Sequence, residues 1–537
     1  MYEEELSALR RCDEIFKSDQ QDTSGYRDIL GLLNPIVIKS AEDENYRGLI
    51  SQSPQIWEQL QSILRDCGPT TSLKDVADET RYWYLRSIRG LVLLMRNLSV
   101  GNQEYPQSYL IQNTVINVFQ SLINAGADYS DMETALYIAS TSFLHNVTKT
   151  SVIFDNSTME PLMDYLIYPL NHPKRSHELL FPYFSFLYNL IQSDDFLYSL
   201  FRQEKAFDVL KCLLVTDLPQ RWPNDTREGG EGHTAGNKDF GNLDQLDVTV
   251  LKCTRKIITN ESFAKYFVDL RRSDTRLFLE ILNLSQLVCT SSETWSTFEL
   301  VGIMSWCFPI FEGSCEDIQR YFQSKIDSEE VANGLHREAT AVLDMLTFLS
   351  QFEYVQKFIL SYDGLEKLVS LFATLRENLI RVNFSKDNNN KAIKGAQLST
   401  SNGESIKNTN NLSKRVDYEN FKIKSTNFPE CKLLIVETLS NLAFKNRAVQ
   451  DKMRELHGLE LVLSNCVIDD NDPFIKERCI ICIRFLLDGN KKNQDFVAKL
   501  EAKKVVDDGT LEEAGYEAKV TKEGKIELVH KQGGSPS

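Results

Sequence analysis

Apolar and polar residues alternate along most of this chain with the period of an α-helix. The segment Leu365–Phe372, for example, places its apolar residues three and four positions apart, which is the spacing of one buried helix face. Two stretches, 217–245 and 384–428, are polar, rich in Asn, Asp and Gly, and show no such period. They contain too little apolar surface to offset the entropy of ordering, so we expect two disordered insertions.

The last 35 residues have a different pattern. Two short segments, Tyr516–Val520 and Lys525–Val529, flank a turn that contains Gly524. This arrangement predicts a small C-terminal β-hairpin. The rest of the chain is predicted to be helical nearly throughout, so we expect an all-α fold class.

A short motif, aliphatic-x-Asn-aliphatic, occurs five times, at Asn97, Asn146, Asn189, Asn283 and Asn441. The first two steps between these Asn residues are 49 and 43 residues long. The later steps, 94 and 158 residues, are near multiples of such a step once the insertions are allowed for. Armadillo and HEAT repeats have a period of about 40–47 residues. The spacing therefore predicts an armadillo/HEAT-like α-solenoid, a superhelix of about ten helical units.

A longer match supports the repeat. Gly364 and Gly458 lie 94 residues apart, and each is preceded by similar residues, which include Val355-Gln356 and Val449-Gln450. In both copies one helix is predicted to end and the Gly to open the next. We expect these Gly residues to allow the sharp bend between consecutive helices.

These patterns divide the chain into six segments. We predict an N-terminal solenoid (1–216), a disordered insertion (217–245), central units (246–383), a disordered low-complexity insertion (384–428), a C-terminal armadillo domain (429–502) and a tail with the hairpin (503–537).

Composition narrows the classes of function. The 537 residues carry a formal net charge of −16, which argues against a general nucleic-acid binder because phosphate attraction needs a basic surface. No apolar run approaches the ~20 residues that span a bilayer, and the acidic start, Met1–Glu5, is unlike a signal peptide. The 11 Cys residues are odd in number and without dense pairs. We therefore expect a cytoplasmic protein with reduced thiols and no membrane insertion.

Catalytic motifs are missing from the sequence. His177-Glu178 is not followed by the second His of a zinc protease motif, and the Gly-rich stretch near Gly229 lacks the Lys of a phosphate loop. We expect no enzymatic activity and no cofactor. Cys479 and Cys482 form a CxxC pair that, on one helix face, is able to bind a soft metal such as copper. Apolar neighbours favour the alternative, two thiols packed in the core, so we predict no metal site.

The Asn ladder, defined as Asn97, Asn146, Asn189, Asn283 and Asn441, is the best candidate for a functional site. In armadillo proteins such side chains line a groove and hold the backbone of an extended peptide. Alternatively, each Asn bonds a neighbouring carbonyl and fixes the stacking of units. Arg96 lies beside the first Asn, and Arg86 and Arg89 precede it. One interpretation is that these arginines add contacts for an anionic partner, and the alternative is that they belong to a solvated face.

The acidic run Asp469–Asp472 precedes Pro473 near the end of the chain. Asp472 is expected to cap the helix that follows, with Pro473 at its first position. These four acidic or amide residues are consecutive and lack the alternating spacing of a calcium-binding loop.

From 431 to 502 the sequence resembles the C-terminal conserved domain of the ataxin-10 family. The residues that carry the resemblance are Asn441-Leu442, Lys445-Asn446, Gln450-Asp451-Lys452, His457-Gly458-Leu459, Leu463–Cys466, Asp469–Ile475, Ile483-Arg484 and Asn493–Asp495. Two positions depart from the family pattern: Arg478 replaces an aromatic residue, and Phe485 replaces the Asn of the repeat.

The resemblance implies an armadillo-like fold, no enzymatic activity, a cytoplasmic location and a role in regulating cytokinesis through protein partners. Two alternatives remain open, a soft-metal (copper) homeostasis factor that uses Cys479 and Cys482, and an importin-like peptide adaptor. The partners are expected to be proteins rather than nucleic acids, and the sequence leaves self-association open.

Overall fold

The computed structural model describes residues 2–18, 22–67, 76–101, 108–124, 129–149, 158–216, 218, 243–324, 328–386, 393–406, 414–501, 516–520 and 526–530. By its internal contacts the chain divides into two compact units, Met1–Phe263 and Ala264–Ser537. This division falls inside the helix Glu261–Ser273 and not in an insertion. The six-segment division stays a prediction.

The first unit is built from helices alone in its described part. They are α1 (Glu3–Lys17), α2 (Thr23–Glu42), α3 (Glu44–Ser51), α4 (Pro54–Asp66), α5 (Asp78–Leu98), α6 (Ser108–Asn124), α7 (Asp131–Val147), α8 (Met159–Asn171), α9 (His177–Leu190), α10 (Asp194–Leu200), α11 (Ala206–Cys212) and α12 (Gln245–Ile258). Helix α13 (Glu261–Ser273) begins in this unit and ends in the next.

The helices of the first unit pack as two rows. In one row α2, α5, α7, α9 and α12 contact one another in that order, and in the second row α1, α4, α6, α8 and α11 do the same. We call the row that carries the Asn motif the ladder row. Two stacked rows of helices are the architecture of an α-solenoid.

The second unit combines helices with short strands. Its helices are α14 (Thr275–Ser291), α15 (Thr297–Ser324), α16 (Glu329–Leu349), α17 (Glu353–Ser361), α18 (Gly364–Asn378), α19 (Cys431–Ala443), α20 (Arg447–Glu455), α21 (Gly458–Ser464), α22 (Ile475–Leu487) and α23 (Lys491–Glu501). Its strands are β1 (Arg381–Lys386), β2 (Ile393–Ser399), β3 (Val416–Asp417), β4 (Lys422–Ile423), β5 (Tyr516–Val520) and β6 (Ile526–His530).

A second ladder row runs through α14, α16, α19 and α22, each in contact with the next. With the five helices of the first unit, the described residues place nine helices in ladder rows, close to the number of repeat units expected. The predicted all-α, armadillo/HEAT-like solenoid is confirmed. The C-terminal hairpin is also confirmed, since β5 and β6 pair antiparallel from Tyr516↔His530 to Val520↔Ile526.

Many helices begin at a side chain that caps their free N–H groups. Ser176, for example, accepts a hydrogen bond from the backbone N–H of Leu179 at 3.3 Å, and such a cap contributes about 1 kcal/mol. Other capping residues include Asp22, Asp43, Ser130, Ser193, Asp244, Asp274, Ser328 and Asn446. Polar residues between apolar segments thus set the helix boundaries.

The insertion 384–428 is not disordered throughout, and that expectation is wrong for its described part. Strand β1 pairs antiparallel with β2, with Val382 opposite Leu398. Both side chains pack with Val416 in a small buried cluster. One apolar residue from each of three short strands is enough to form this cluster, and the polar residues between them hide the pattern in the sequence. Most of the insertion 217–245 lies outside the described residues.

Gly364 and Gly458 open α18 and α21 as predicted, but for a different reason. The left-handed residue at each joint is the one before the Gly, Asp363 with φ 56° and His457 with φ 59°. A Cβ on Gly364 would lie 2.8 Å from the carbonyl oxygen of Ile359. The Gly is therefore needed for close approach of the chain, not for its φ.

Candidate functional site

The side chain of Asn97 reaches from α5 to the end of the preceding ladder helix, α2. Its Nδ2 donates to the carbonyl oxygen of Val37 at 3.1 Å and to Ser40 Oγ at 3.1 Å. Ser40 Oγ in turn donates to the same carbonyl at 2.9 Å. We call this arrangement, one Asn amide joined to a carbonyl and to a hydroxyl three residues later, an Asn bridge.

The same bridge recurs at three more ladder positions. In each, Nδ2 of the Asn meets a carbonyl oxygen and then a hydroxyl oxygen, as follows: Asn146 to Arg96 (3.4 Å) and Ser99 (3.1 Å), Asn189 to His145 (2.8 Å) and Thr148 (3.1 Å), and Asn441 to Thr347 (3.0 Å) and Ser350 (2.9 Å). These bonds bring a second side-chain donor to carbonyls near the end of the preceding ladder helix, each of which also accepts from the hydroxyl of the bridge.

The bridge depends on a hydroxyl residue in the preceding ladder helix. This residue stands two positions after the Asn of that helix, or after the residue that takes the place of the Asn. Ser99 and Thr148 hold this position after Asn97 and Asn146. In α19 the corresponding residue is Ala443, and in α22, the next ladder helix, Phe485 stands where the Asn would be. The rings of Phe485 and Phe444 pack edge to face there, 4.9 Å apart. The departure at Phe485 thus goes with the loss of its acceptor hydroxyl.

Asn283 does not belong to this set. It lies in the middle of α14, two turns before the helix ends, whereas the other four lie in the last turn of theirs. Its following hydroxyl, Ser285, donates within its own helix to the carbonyl of Ile281 at 2.8 Å. The four-residue motif alone does not distinguish these two locations.

An Asn side chain has two N–H donors and one carbonyl acceptor. In the Asn bridge both donors are directed to groups of the preceding unit. A clasp on a peptide backbone requires a donor and an acceptor together, and the bridge leaves only Oδ1 for it. The contacts therefore favour the stacking alternative, and the peptide groove at Asn97, Asn146, Asn189, Asn283 and Asn441 stays a prediction.

Arg96 is half-buried at the edge of the first bridge. Its Nη2 donates to Asn97 Oδ1 at 3.0 Å, so it occupies the one free acceptor of that side chain. Burial lowers the pKa of Arg96, and the nearby charge of Arg89 lowers it further.

Cys479 and Cys482 lie on the buried face of α22. Burial raises the pKa of Cys482 to about 12, and burial together with contact with Cys466 raises that of Cys479. Because the thiolate is the form that binds metal, protonated thiols in an apolar core favour packing. Within the described ranges, no three His, Cys, Asp or Glu side chains are grouped to hold a metal ion. No described helix is long and apolar enough to span a membrane.

A buried ion cluster at the start of α19 was not predicted. Lys432 Nζ lies 2.8 Å from Asp469 Oδ2 and 3.1 Å from Asp472 Oδ2, and all three side chains are almost completely buried. Burial alone would lower the pKa of Lys432, but Asp472 and Asp469 together raise it. A single Lys in the apolar run of α19 was the signal in the sequence.

The same acidic loop holds strand β1. Asp469 Oδ1 accepts from the backbone N–H of Val382 at 3.0 Å, and the N–H of Asp470 donates to the carbonyl of Val382 at 2.7 Å. The carboxylate of Asp470 accepts from the N–H of Phe384 at 2.6 Å. These bonds join the inserted hairpin to the C-terminal domain.

Asp472 caps a helix other than the predicted one. Its Oδ1 accepts from the backbone N–H of Leu433 at 3.1 Å, near the start of α19. The helix that follows it, α22, begins only at Ile475, after Phe474 in a left-handed conformation. The prediction was wrong because the helix that needed a cap lies 39 residues away in the sequence.

The chain is similar in sequence to known proteins. Residues 431–529 match the family model described as the spinocerebellar ataxia type 10 protein domain. The ataxin-10 homolog of Candida glabrata is 40% identical to this chain, over 98% of this chain and 99% of its own length. That of Saccharomyces cerevisiae is 35% identical over 96% of this chain and 94% of its own length.

A solved structure from work on the interaction between cadherin and beta-catenin is similar to this chain at 12% identity, over 94% of this chain and 78% of that one. Its TM-score is only 0.31. The solenoid fold assigned above therefore rests on the helix rows themselves.

Proposed function

The chain belongs to the ataxin-10 family, and on that premise we propose that it is a non-enzymatic, cytoplasmic scaffold that binds partner proteins and takes part in regulating cytokinesis. The observation that supports binding is the ladder row of each unit, in which successive helices lie side by side in contact. Stacked repeats offer extended surfaces of this kind to partners.

The test is proximity labelling with the full chain in dividing cells, compared with interphase cells. The proposal expects a set of neighbouring proteins that includes cell-division factors and is enriched during division. Identical neighbours in both phases would count against the role in cytokinesis. The absence of any neighbours beyond those of an untargeted label would count against a scaffold.

Direct measurements distinguish the scaffold function from two other functions. A soft-metal role through Cys479 and Cys482 requires stoichiometric copper or zinc in protein purified under reducing conditions, and the buried thiols lead us to expect none. An importin-like adaptor requires binding of basic peptides that is lost in Asn97→Ala and Asn146→Ala. Since both amides serve in Asn bridges, we expect those variants to change stability instead.

A further inference from the structure

Three arginines, Arg86, Arg89 and Arg96, follow one another along α5 at intervals of three and seven residues. This spacing places them on one side of the helix. At ~1.5 Å of rise per residue the set extends over ~15 Å, the length of four or five residues of an extended peptide. We call this set the arginine stripe.

No carboxylate among the residues that the structure describes neutralises the arginine stripe. Within the described part of Met1–Phe263, none of its three guanidinium groups forms an ion pair, whereas Arg27 nearby is paired with Glu79 at 2.6 Å. Nε of Arg89 is buried without a hydrogen-bond acceptor. Buried donors and charges are normally paired, so a cluster of unpaired cations in a chain with 76 acidic residues calls for an anionic partner.

The guanidinium groups at the two ends of the stripe are held in place. Arg86 lies over the ring of Trp83, 5.1 Å from its centroid, and donates to the hydroxyl of Tyr82 at 2.9 Å. Arg96 donates to Asn97. Each guanidinium has five N–H donors in a planar fork that matches a carboxylate. Since these contacts use one hydrogen bond from each group, the remaining donors are already oriented for a ligand.

We propose that the arginine stripe of α5 binds an acidic, carboxylate-rich segment of a partner protein. This proposal rests on the scaffold function and adds the chemistry of one partner. A nucleic acid fits less well, because the net charge of −16 repels a long polyanion. A short acidic segment meets chiefly the local charge, since screening limits the field to about 8 Å at physiological salt.

The experiment measures binding of a fluorescein-labelled peptide, about twelve residues long with glutamate alternating with serine, to the full chain by fluorescence anisotropy. The variant Arg86→Gln/Arg89→Gln removes two charges and keeps most of each side chain. The matched control, Arg10→Gln/Arg11→Gln, removes the same charge from exposed positions on α1, in the second row. Circular dichroism melting shows whether each variant folds.

We expect the wild-type chain and the α1 control to bind equally, and the stripe variant to bind at least about tenfold more weakly, as expected for the loss of two charge-assisted contacts. A peptide with glutamine in place of glutamate should not bind. No wild-type binding, equal loss in both variants, or tighter binding of a 20-nucleotide poly-dT strand would overturn the proposal. If the acidic peptide fails while proximity labelling still finds division factors, the arginine stripe is refuted and the scaffold function stands.

Discussion

Replacing Asn441 with alanine tests whether the ladder stacks the units or lines a groove. The substitution removes the hydrogen bonds from Nδ2 to the carbonyl of Thr347 (3.0 Å) and to Ser350 Oγ (2.9 Å). The carbonyl keeps its bond from Ser350 Oγ at 2.8 Å, so it is not left entirely unpaired. The expected loss is therefore that of two ordinary hydrogen bonds.

Each such bond contributes about 0.5–1.5 kcal/mol net, so Asn441→Ala should lower the free energy of opening between α16 and α19 by about 1–3 kcal/mol. At ~1.4 kcal/mol per tenfold, amide hydrogen exchange through that opening should become about 5 to 150 times faster. Asn441→Asp should be more destabilising at neutral pH, because it places carboxylate oxygens where both donors stood.

Hydrogen exchange measured by mass spectrometry reports this interface without requiring two-state unfolding of a repeat protein. The matched control is Asn283→Ala. It makes the same change at another half-buried Asn in a ladder helix of the same unit, but it removes no Asn bridge. The control also corrects for the higher helix propensity of alanine. Equal exchange in the two variants, with no change from wild type in either, would refute the stacking role.

Two further substitutions test other joints of the second unit. Gly364→Ala should destabilise the chain by about 1–3 kcal/mol, because the added Cβ meets backbone. Gly334→Ala should stabilise α16 by about 0.5–1 kcal/mol, because a Cβ at this position has no atom within 4 Å. Urea denaturation compares the two variants, and equal midpoints would contradict the close-approach argument. Lys432→Met should cost about 3–5 kcal/mol, because it leaves Asp469 and Asp472 buried and uncompensated. Burial raises the pKa of Asp472, and Lys432 opposes that rise, so removing Lys432 should raise this pKa further. The folded variant then gains more from protonation than the wild-type chain does, and its deficit should shrink from pH 7 to pH 5. A pH-independent deficit would contradict this explanation.

The sequence by itself determined the fold class of this protein. Helical periodicity and the spacing of Asn97, Asn146 and Asn189 are local and repeated, and a solenoid repeats the same local contact from one unit to the next. The hairpin at Tyr516–Val520 and the helix starts at Gly364 and Gly458 were predictable for the same reason, since each depends on residues adjacent in the chain.

Tertiary structure alone decided what those residues contact. The motif at Asn283 looks like the one at Asn441, but only the latter lies in the last turn of its helix, facing a hydroxyl of the preceding unit. Asp472 caps a helix that begins before it in the chain, and Lys432 is buried against it. Hydrogen bonds and ion pairs act over about 3 Å in space, and residues that close can be 39 or 94 positions apart in the sequence.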